Sequence, residues 1–307
     1  MRNVYESVDA NKRDSLLVIF LFVGFVLASA YFLAKAIGVY YGYSTSGFEF
    51  ISLAMIISGI SGFTSYYYSD KIILGLSGAT PATKQQFFTL YTVTENLCLA
   101  SGLPFPSLYV INDTAPNAFA TGRDPKHATI CVTTGLLQKL NRTELEGVIG
   151  HELSHVANYD IRLMSLVTVL VGLVTLLADW MLRSSWGGRS NSRENKSGAG
   201  IFLLIGLLLA LLSPIVSKLI QLAISRRREY FADASSVKIT RQPGGLISAL
   251  KKLDADREPL EAANKATAHL YIVNPLKNHH DAIGWFAGLF NTHPPIVDRI
   301  KILQQMA

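Results

Sequence analysis

The chain of 307 residues has only two cysteines, Cys98 and Cys131, and no Cys-x-x-Cys pair. A disulfide framework and a thiolate metal site are thereby excluded, and both thiols read as small buried side chains. Charge is scarce as well: 16% of residues are Asp, Glu, Lys or Arg, against 50% hydrophobic. So much apolar material with so little charge implies segments that meet lipid rather than water. No nucleotide-type glycine-rich loop and no internal repeat occurs, which removes phosphate-cradling loops and repeat arrays from consideration. A cleavable leader is not expected either, because the first apolar run is long and lacks a small-residue cleavage site; it reads as a retained anchor. The net charge of +6 does not indicate nucleic acid, since the basic residues flank apolar runs instead of alternating with aromatics. Membrane topology explains them better.

What the sequence does have is four charge-free stretches. Ser15 to Ala34 spans 20 residues, Phe50 to Ser69 spans 20, Leu163 to Ala178 spans 16, and Ser197 to Ser217 spans 21. A helix needs about 20 apolar residues to cross the hydrocarbon of a bilayer, so three qualify and the third falls short unless its charged ends snorkel. The polar segment Ser184 to Gly200 is the expected flexible tip between the last two stretches.

The remaining sequence has a different texture. "SLYVIN" and "ATICVTT" read as short strands around "APNAFATGRDPKH", with helices on either side. From Lys218 onward the chain reads as mostly helical, through "KLIQLAISRRREYFADASSV", "GLISALKKLDAD", "PLEAANKATAHLYI" and the proline-led "PPIVDRIKILQQM". The expected fold is a mainly α membrane protein: four hydrophobic helices plus a mixed, mostly helical catalytic domain with a small β-sheet. Its expected parts are a first transmembrane hairpin at 1–69, the first catalytic half at 70–160, a second transmembrane or membrane-dipping hairpin at 161–217, and the second catalytic half at 218–307.

"LNRTELEGVIGHELSHVANYD" reads as a helix capped by Asn141, with Glu144 at the matching third position and Leu145, Val148, Ile149 and Val156 on one face. His151 and His155 then lie one turn apart and can reach one metal ion. Glu152 sits at the flank, where it can hold a water without being a ligand. Imidazole suits zinc, and three protein ligands would leave one position for water. Such a motif arises by chance in roughly one chain of this composition in two hundred, so a third ligand is needed. "SRRREYFADASS" offers Glu229, with Asp233 one turn on. This is the arrangement of a carboxylate ligand and an aspartate that fixes a histidine from behind, although an acidic pair on a helix is by itself an ordinary solvated face.

His151-Glu152-Leu153-Ser154-His155 followed by Glu229-Tyr230-Phe231-Ala232-Asp233, with "PNAFATG" before and "THPPIVDRI" after, closely resembles the HtpX-like zinc metalloendopeptidases, relatives of the CAAX-prenyl endopeptidases. The likeness runs over nearly the whole chain. It implies a zincin-type domain holding one Zn2+ on His151, His155 and Glu229, with Glu152 as the catalytic base and Asp233 supporting the site. In such chemistry Glu152 takes the proton of the attacking water and passes it to the leaving nitrogen. His293 is the candidate oxyanion donor and Arg299 its organiser, positions to which the likeness also points, although a histidine before two prolines is by itself more often a loop residue or helix cap. Asn117, Ala118 and Phe119 become the lip along which substrate adds as a strand; the plain alternative is an edge covered by helices. His127, His269, His279 and His280 are left over, and "NHHD" reads as a solvated loop. Trp285, Phe286, Leu289 and Phe290 read as core or interfacial anchors.

Ligands of one ion must share a side of the membrane, so the segment between His155 and Glu229 crosses an even number of times. Both termini then share that side, and Arg2, Lys12, Arg13, Lys71, Lys84 and Arg226 to Arg228, against Lys35 in the first hairpin, assign it to the cytoplasm. Arg183, Arg189, Arg193 and Lys196 run against that rule and leave open a second hairpin that dips without crossing. The expectation is a multi-pass, plasma-membrane endopeptidase for misfolded membrane proteins or unfolded polypeptides, in quality control, with the lipid bilayer as partner and no nucleic acid. A selective processor of one peptide or prenylated tail, and a noncatalytic zinc-binding scaffold, are the alternatives. Oligomeric state is not legible.

Overall fold

The computed structural model describes residues 4–41, 46, 48, 51–170, 172, 226–256, 258–263, 267–273 and 294–306. The polar tip at 184–200, the latter part of the third and all of the fourth charge-free stretch, His279, His280, Trp285, Phe286, Leu289, Phe290 and His293 lie outside them. Two long helices lead, α1 (Val4–Tyr41) and α2 (Ile51–Leu76), packed on each other. Among the described residues no helix is long and apolar enough to cross a membrane. The arrangement is mostly helical with one small mixed sheet.

The sheet has four strands, β1 (Thr80–Pro81), β2 (Ser107–Ile111), β3 (Ala118–Gly122) and β4 (Ala128–Thr133), in the order β1-β2-β4-β3. β2 and β4 run parallel; the two outer pairings are antiparallel. Alternation along each strand divides the core in two. Leu108, Val110, Ala118, Ala120, Ile130 and Val132 face one cluster, whereas Ile111, Phe119 and Cys131 face another with Ile73 and Tyr271. Cover on both faces explains why "ATICVT" is buried throughout and carries no polar alternation. The two-residue β1 escapes sequence reading because its Pro81 suits only an edge. Burial pushes the thiol of Cys98 up to about 11 and that of Cys131 higher still, so both cysteines are inert core residues.

On the first cluster lie α3 (Phe88–Ser101), α5 (Arg142–Ala157) and α7 (Pro243–Ala255); α4 (Thr134–Lys139) follows β4, α6 (Arg226–Thr240) and α8 (Ile296–Gln304) pack beside them, and residues 160–170 form a further helix directly after α5. The start of α5 is a capping box: Glu144 N–H donates to Asn141 Oδ1 at 2.9 Å, and Asn141 N–H to Glu144 Oε2 at 2.8 Å. Two glycines set how closely α5 is approached. A Cβ on Gly147 would stand 2.7 Å from the backbone nitrogen of Leu246 on α7, and one on Gly150 2.8 Å from Ser236 Oγ on α6, which itself donates to Gly147 O at 2.7 Å. Backbone cannot yield as a side-chain tip can, so Gly147→Ala should cost about 1–3 kcal/mol, read as a lowered thermal midpoint. A midpoint equal to that of the parent would show that α7 is free to move away.

Among the described residues of "PLEAANKATAHLYI" the expected helix is not formed. Residues 258–263 are loop and turn, and only Ala268–Leu270 make a short 3-10 turn. Tertiary partners take the backbone groups a helix would use: Ala262 N–H donates to Asp113 Oδ2 at 3.1 Å, and Ile272 N–H to Ala118 O at 3.0 Å. Leu260, Leu270 and Tyr271 are meanwhile drawn into the cluster around Phe119. His269 is buried and meets Thr168 Oγ1 at 2.9 Å, while His127 is half exposed against Asp124.

Candidate metal centre

α5 presents His151 and His155 on one face, and α6, held against it through Ser236, presents Glu229 to the same point. The two Nε2 atoms are 3.2 Å apart; Glu229 Oε2 lies 3.7 Å from the first and Oε1 3.6 Å from the second. The rings stand edge to face, and one donor atom from each of the three residues falls within 4.8 Å of the others. All are buried, as is Glu152.

Each ring is fixed from behind by a carboxylate. His151 Nδ1–H meets Asp233 Oδ1 at 2.9 Å, and His155 Nδ1–H meets Asp160 Oδ2 at 3.0 Å. A carboxylate can only accept, so both Nδ1 atoms carry hydrogen and both Nε2 atoms turn inward, where each can take a metal ion or a proton. Two lone pairs and a carboxylate facing one point repel unless a cation lies between them. The residues therefore fit a metal ion, and two imidazoles with one carboxylate fit zinc.

The sequence placed Asp233 behind the site, and the structure puts it against His151. Arg299, on α8, lies fully buried and grips it in a fork: Nε to Oδ2 at 2.9 Å, Nη2 to Oδ1 at 2.7 Å. Its Nη1 stands 3.7 Å from Glu229 Oε2 and donates to Ile272 O at 3.2 Å. Burial alone would raise the Asp233 carboxyl, but Arg299 and the His151 ring hold it down to about 2. Burial, helped by the nearby guanidinium and opposed by Asp233, lowers His151.

Asp160 was not singled out in sequence. It follows the end of α5 by three residues, and Tyr159, at φ 59°, turns the chain so that Asp160 doubles back to His155. An aspartate five positions beyond the second histidine, after an Asn-Tyr break, is the signal that marks it. Burial would lower His155, but Asp160, Glu229 and Glu152 outweigh it and raise the ring to about 9 without a metal. A proton and a metal ion thus compete for one Nε2. Zinc binding near pH 7 should release about one proton, and apparent affinity should fall about tenfold per pH unit as pH drops below about 9. Calorimetry in buffers of different ionisation enthalpy reads the proton; affinity independent of pH between 6 and 8, as approximate bounds, would contradict the competition.

The substrate residues proposed from sequence lie at the start of the sheet's outer strand, Asn117 just before it and Ala118 and Phe119 within it. Asn117, Ala118 and Phe119 are nonetheless buried. Asn117 Nδ2 donates to Val273 O at 2.9 Å and Ala118 O accepts from Ile272 N–H at 3.0 Å, while Gly122 N–H donates to Ser165 Oγ at 3.2 Å. Among the described residues, both ends of this edge are therefore occupied by the chain itself.

Residues 84–307 match the family Peptidase_M48, described as Peptidase family M48. A protease HtpX homolog of Caldanaerobacter subterraneus subsp. tengcongensis is 44% identical over 99% of this chain and 98% of its own length. Another, of Thermoanaerobacter pseudethanolicus, is 42% identical over the same shares. Among solved structures, that of S. mikatae Ste24p aligns with TM-score 0.47 and 20% identity, covering 94% of this chain and 64% of that one.

Proposed function

The chain belongs to peptidase family M48, and from that premise we propose that it is an integral membrane endopeptidase whose zinc is held by His151, His155 and Glu229. It is a peptide-bond hydrolase, and zinc is its cofactor. The observation that carries the site assignment is the pair of inward Nε2 atoms, each ring fixed by its own carboxylate, opposite the Glu229 oxygens. When bound, zinc polarises the scissile carbonyl and makes a water nucleophilic near neutral pH. Glu152, next to one ligand and close enough to help raise His155, accepts that water's proton and returns it to the leaving nitrogen. Asp233 and Arg299 keep the His151 ring in its tautomer and hold Glu229 near it. His293, outside the described residues, is the proposed donor to the developing oxyanion.

Substrate is proposed to add along β3 at Asn117, Ala118 and Phe119. Backbone pairing gives affinity without demanding a particular sequence. It requires residues 271–273 to give up the bond from Ile272 N–H to Ala118 O, and because Arg299 also holds Ile272 O, that edge adjoins the metal centre.

A membrane position is supported by inverted polarity in the first two helices. The packed face of α2 is small: Ala54, Ser58, Gly62, Ser65 and Ser69, with Ile19 of α1 3.7 Å from where a Gly62 Cβ would be. Outward stand Leu16 and Phe20 on α1 and Ile56, Ile60 and Phe63 on α2, all exposed. Small inside and large apolar outside is how helices pack in lipid, and the serines lower the helix's overall apolarity without touching its outer face. Where the apolar face ends, Lys71, Arg123 and Arg162 lie over Tyr68, Tyr67 and Tyr66, as interfacial anchors do. The second hairpin, cytoplasmic siting of the zinc and both termini, and the division into catalytic halves at 70–160 and 218–307 remain part of this proposal, resting on the charge distribution.

The physiological role proposed is removal of misfolded or damaged membrane proteins. The full chain, reconstituted in vesicles with zinc, should cut both an unfolded soluble protein and the disordered loop of a single-span protein at many sequences. Cleavage at one sequence only would replace this reading with selective processing, and zinc binding without any cleavage would replace it with a scaffold.

A further inference from the structure

The carboxylate behind His155 is itself held by a residue far away in the chain. Asn11, on α1 and 2% exposed, donates from Nδ2 to Asp160 Oδ1 at 2.6 Å and to Asn158 O at 2.8 Å. One amide nitrogen has two hydrogens, and here both are used on the turn that aims Asp160. Asp160 Oδ2 is thereby left to accept from His155 Nδ1–H at 3.0 Å. Arg228, the residue before Glu229, stands 3.6 Å from Asp160 Oδ1 and 3.2 Å from Asp14 Oδ2, so α1 also meets the helix that carries the third ligand. Lys12 makes a separate tie to the same turn, 4.8 Å over the Tyr159 ring, without touching Asp160.

We propose that Asn11 is a positioning residue of the metal centre: by fixing Asp160 it sets the tautomer and direction of His155, so that the first helix completes a site whose other parts all lie in the region matched to the peptidase family. That region begins at residue 84, well after Asn11. The inference rests on the metal reading of His151, His155 and Glu229. An amide suits the position because it donates twice and carries no charge. An aspartate there would set a second carboxylate against Asp160, and an alanine would leave Asp160 Oδ1 and Asn158 O without these two hydrogens.

The test uses the full chain in detergent and reads zinc affinity by competition with a chelator, beside a thermal melt of each variant. Asn11→Ala should weaken zinc binding about 10- to 100-fold, the usual effect of losing a partner behind a ligand. Asp160→Ala should do at least as much, and the double variant should be no worse than Asp160→Ala alone. Lys12→Ala, which loosens α1 at the same turn, should keep parental zinc affinity. Asn11→Asp preserves the side chain's shape and should weaken binding at least as far as Asn11→Ala, so the test survives a poorly folded alanine variant. Equal affinity in the parent and both Asn11 variants overturns the proposal. So does a loss in Asn11→Ala that adds in full to that of Asp160→Ala, or one that Lys12→Ala reproduces, since each describes mere docking of α1. A parent that binds no zinc sinks the metal reading, and this inference with it; a parent that binds zinc as tightly as its Asn11 variants sinks this inference alone.

Discussion

Glu152→Gln should bind zinc as the parent does and cleave peptide bonds about 10²- to 10⁴-fold more slowly, the contribution expected of a positioned general base. Glutamine keeps the shape of the buried side chain and removes its capacity to take a proton. Glu152 is not among the three residues whose donor atoms converge, so the metal site should survive. The loss should fall on kcat and kcat/KM together, because the proton is accepted only as the transition state forms. Activity within a few fold of the parent would mean that another group is the base. Loss of zinc along with activity would mean that Glu152 helps to hold the metal.

Arg299→Met carries the second large effect, and it acts through Asp233. The guanidinium is completely buried and meets that carboxylate through two nitrogens, so its removal strands a buried negative charge beside Glu229. Breaking such a pair by deleting one partner costs about 3–5 kcal/mol. Zinc affinity should fall by about 10- to 100-fold as His151 loses its fixed partner. Arg299→Lys should not rescue it, since an ammonium cannot reproduce the fork. The pH dependence follows from Asp233. Its folded value is held down to about 2, below the unfolded carboxyl. Its contribution to stability is therefore fully present above about pH 4 and is lost as pH falls through the folded value. Thermal melts of parent and Arg299→Met should thus differ most near neutrality and converge in acid; a constant difference would place the stabilisation elsewhere.

Features with short-range periodicity could be read in the sequence. The Asn141–Glu144 cap and the one-turn spacing of His151 and His155 belong to a single helix, where local geometry decides everything. Glu229 and Asp233 could be nominated because they too lie one turn apart, but their meeting with α5 depends on Gly150 and Ser236, a helix-to-helix approach that no local pattern reveals. "PLEAANKATAHLYI" failed for the converse reason. Its helix-forming residues were outbid by partners at Asp113 and Ala118, more than a hundred positions away. The grip of Asn11 on Asp160 joins residues 149 apart in the chain and leaves no trace in spacing at all. Asp160, by contrast, was missed although it carries a local signal: an acidic residue just after a helix break, five positions past a candidate ligand.

One zinc ion on His151, His155 and Glu229 is proposed to perform the hydrolysis. Titrating zinc into the metal-free full chain while following cleavage of an unfolded protein tests it most directly, with Glu229→Ala alongside. Activity should rise in proportion to added metal, level off at one zinc per chain, and stay near background in the Glu229 variant. Full cleavage by the metal-free chain, or a Glu229→Ala chain that titrates like the parent, would contradict it.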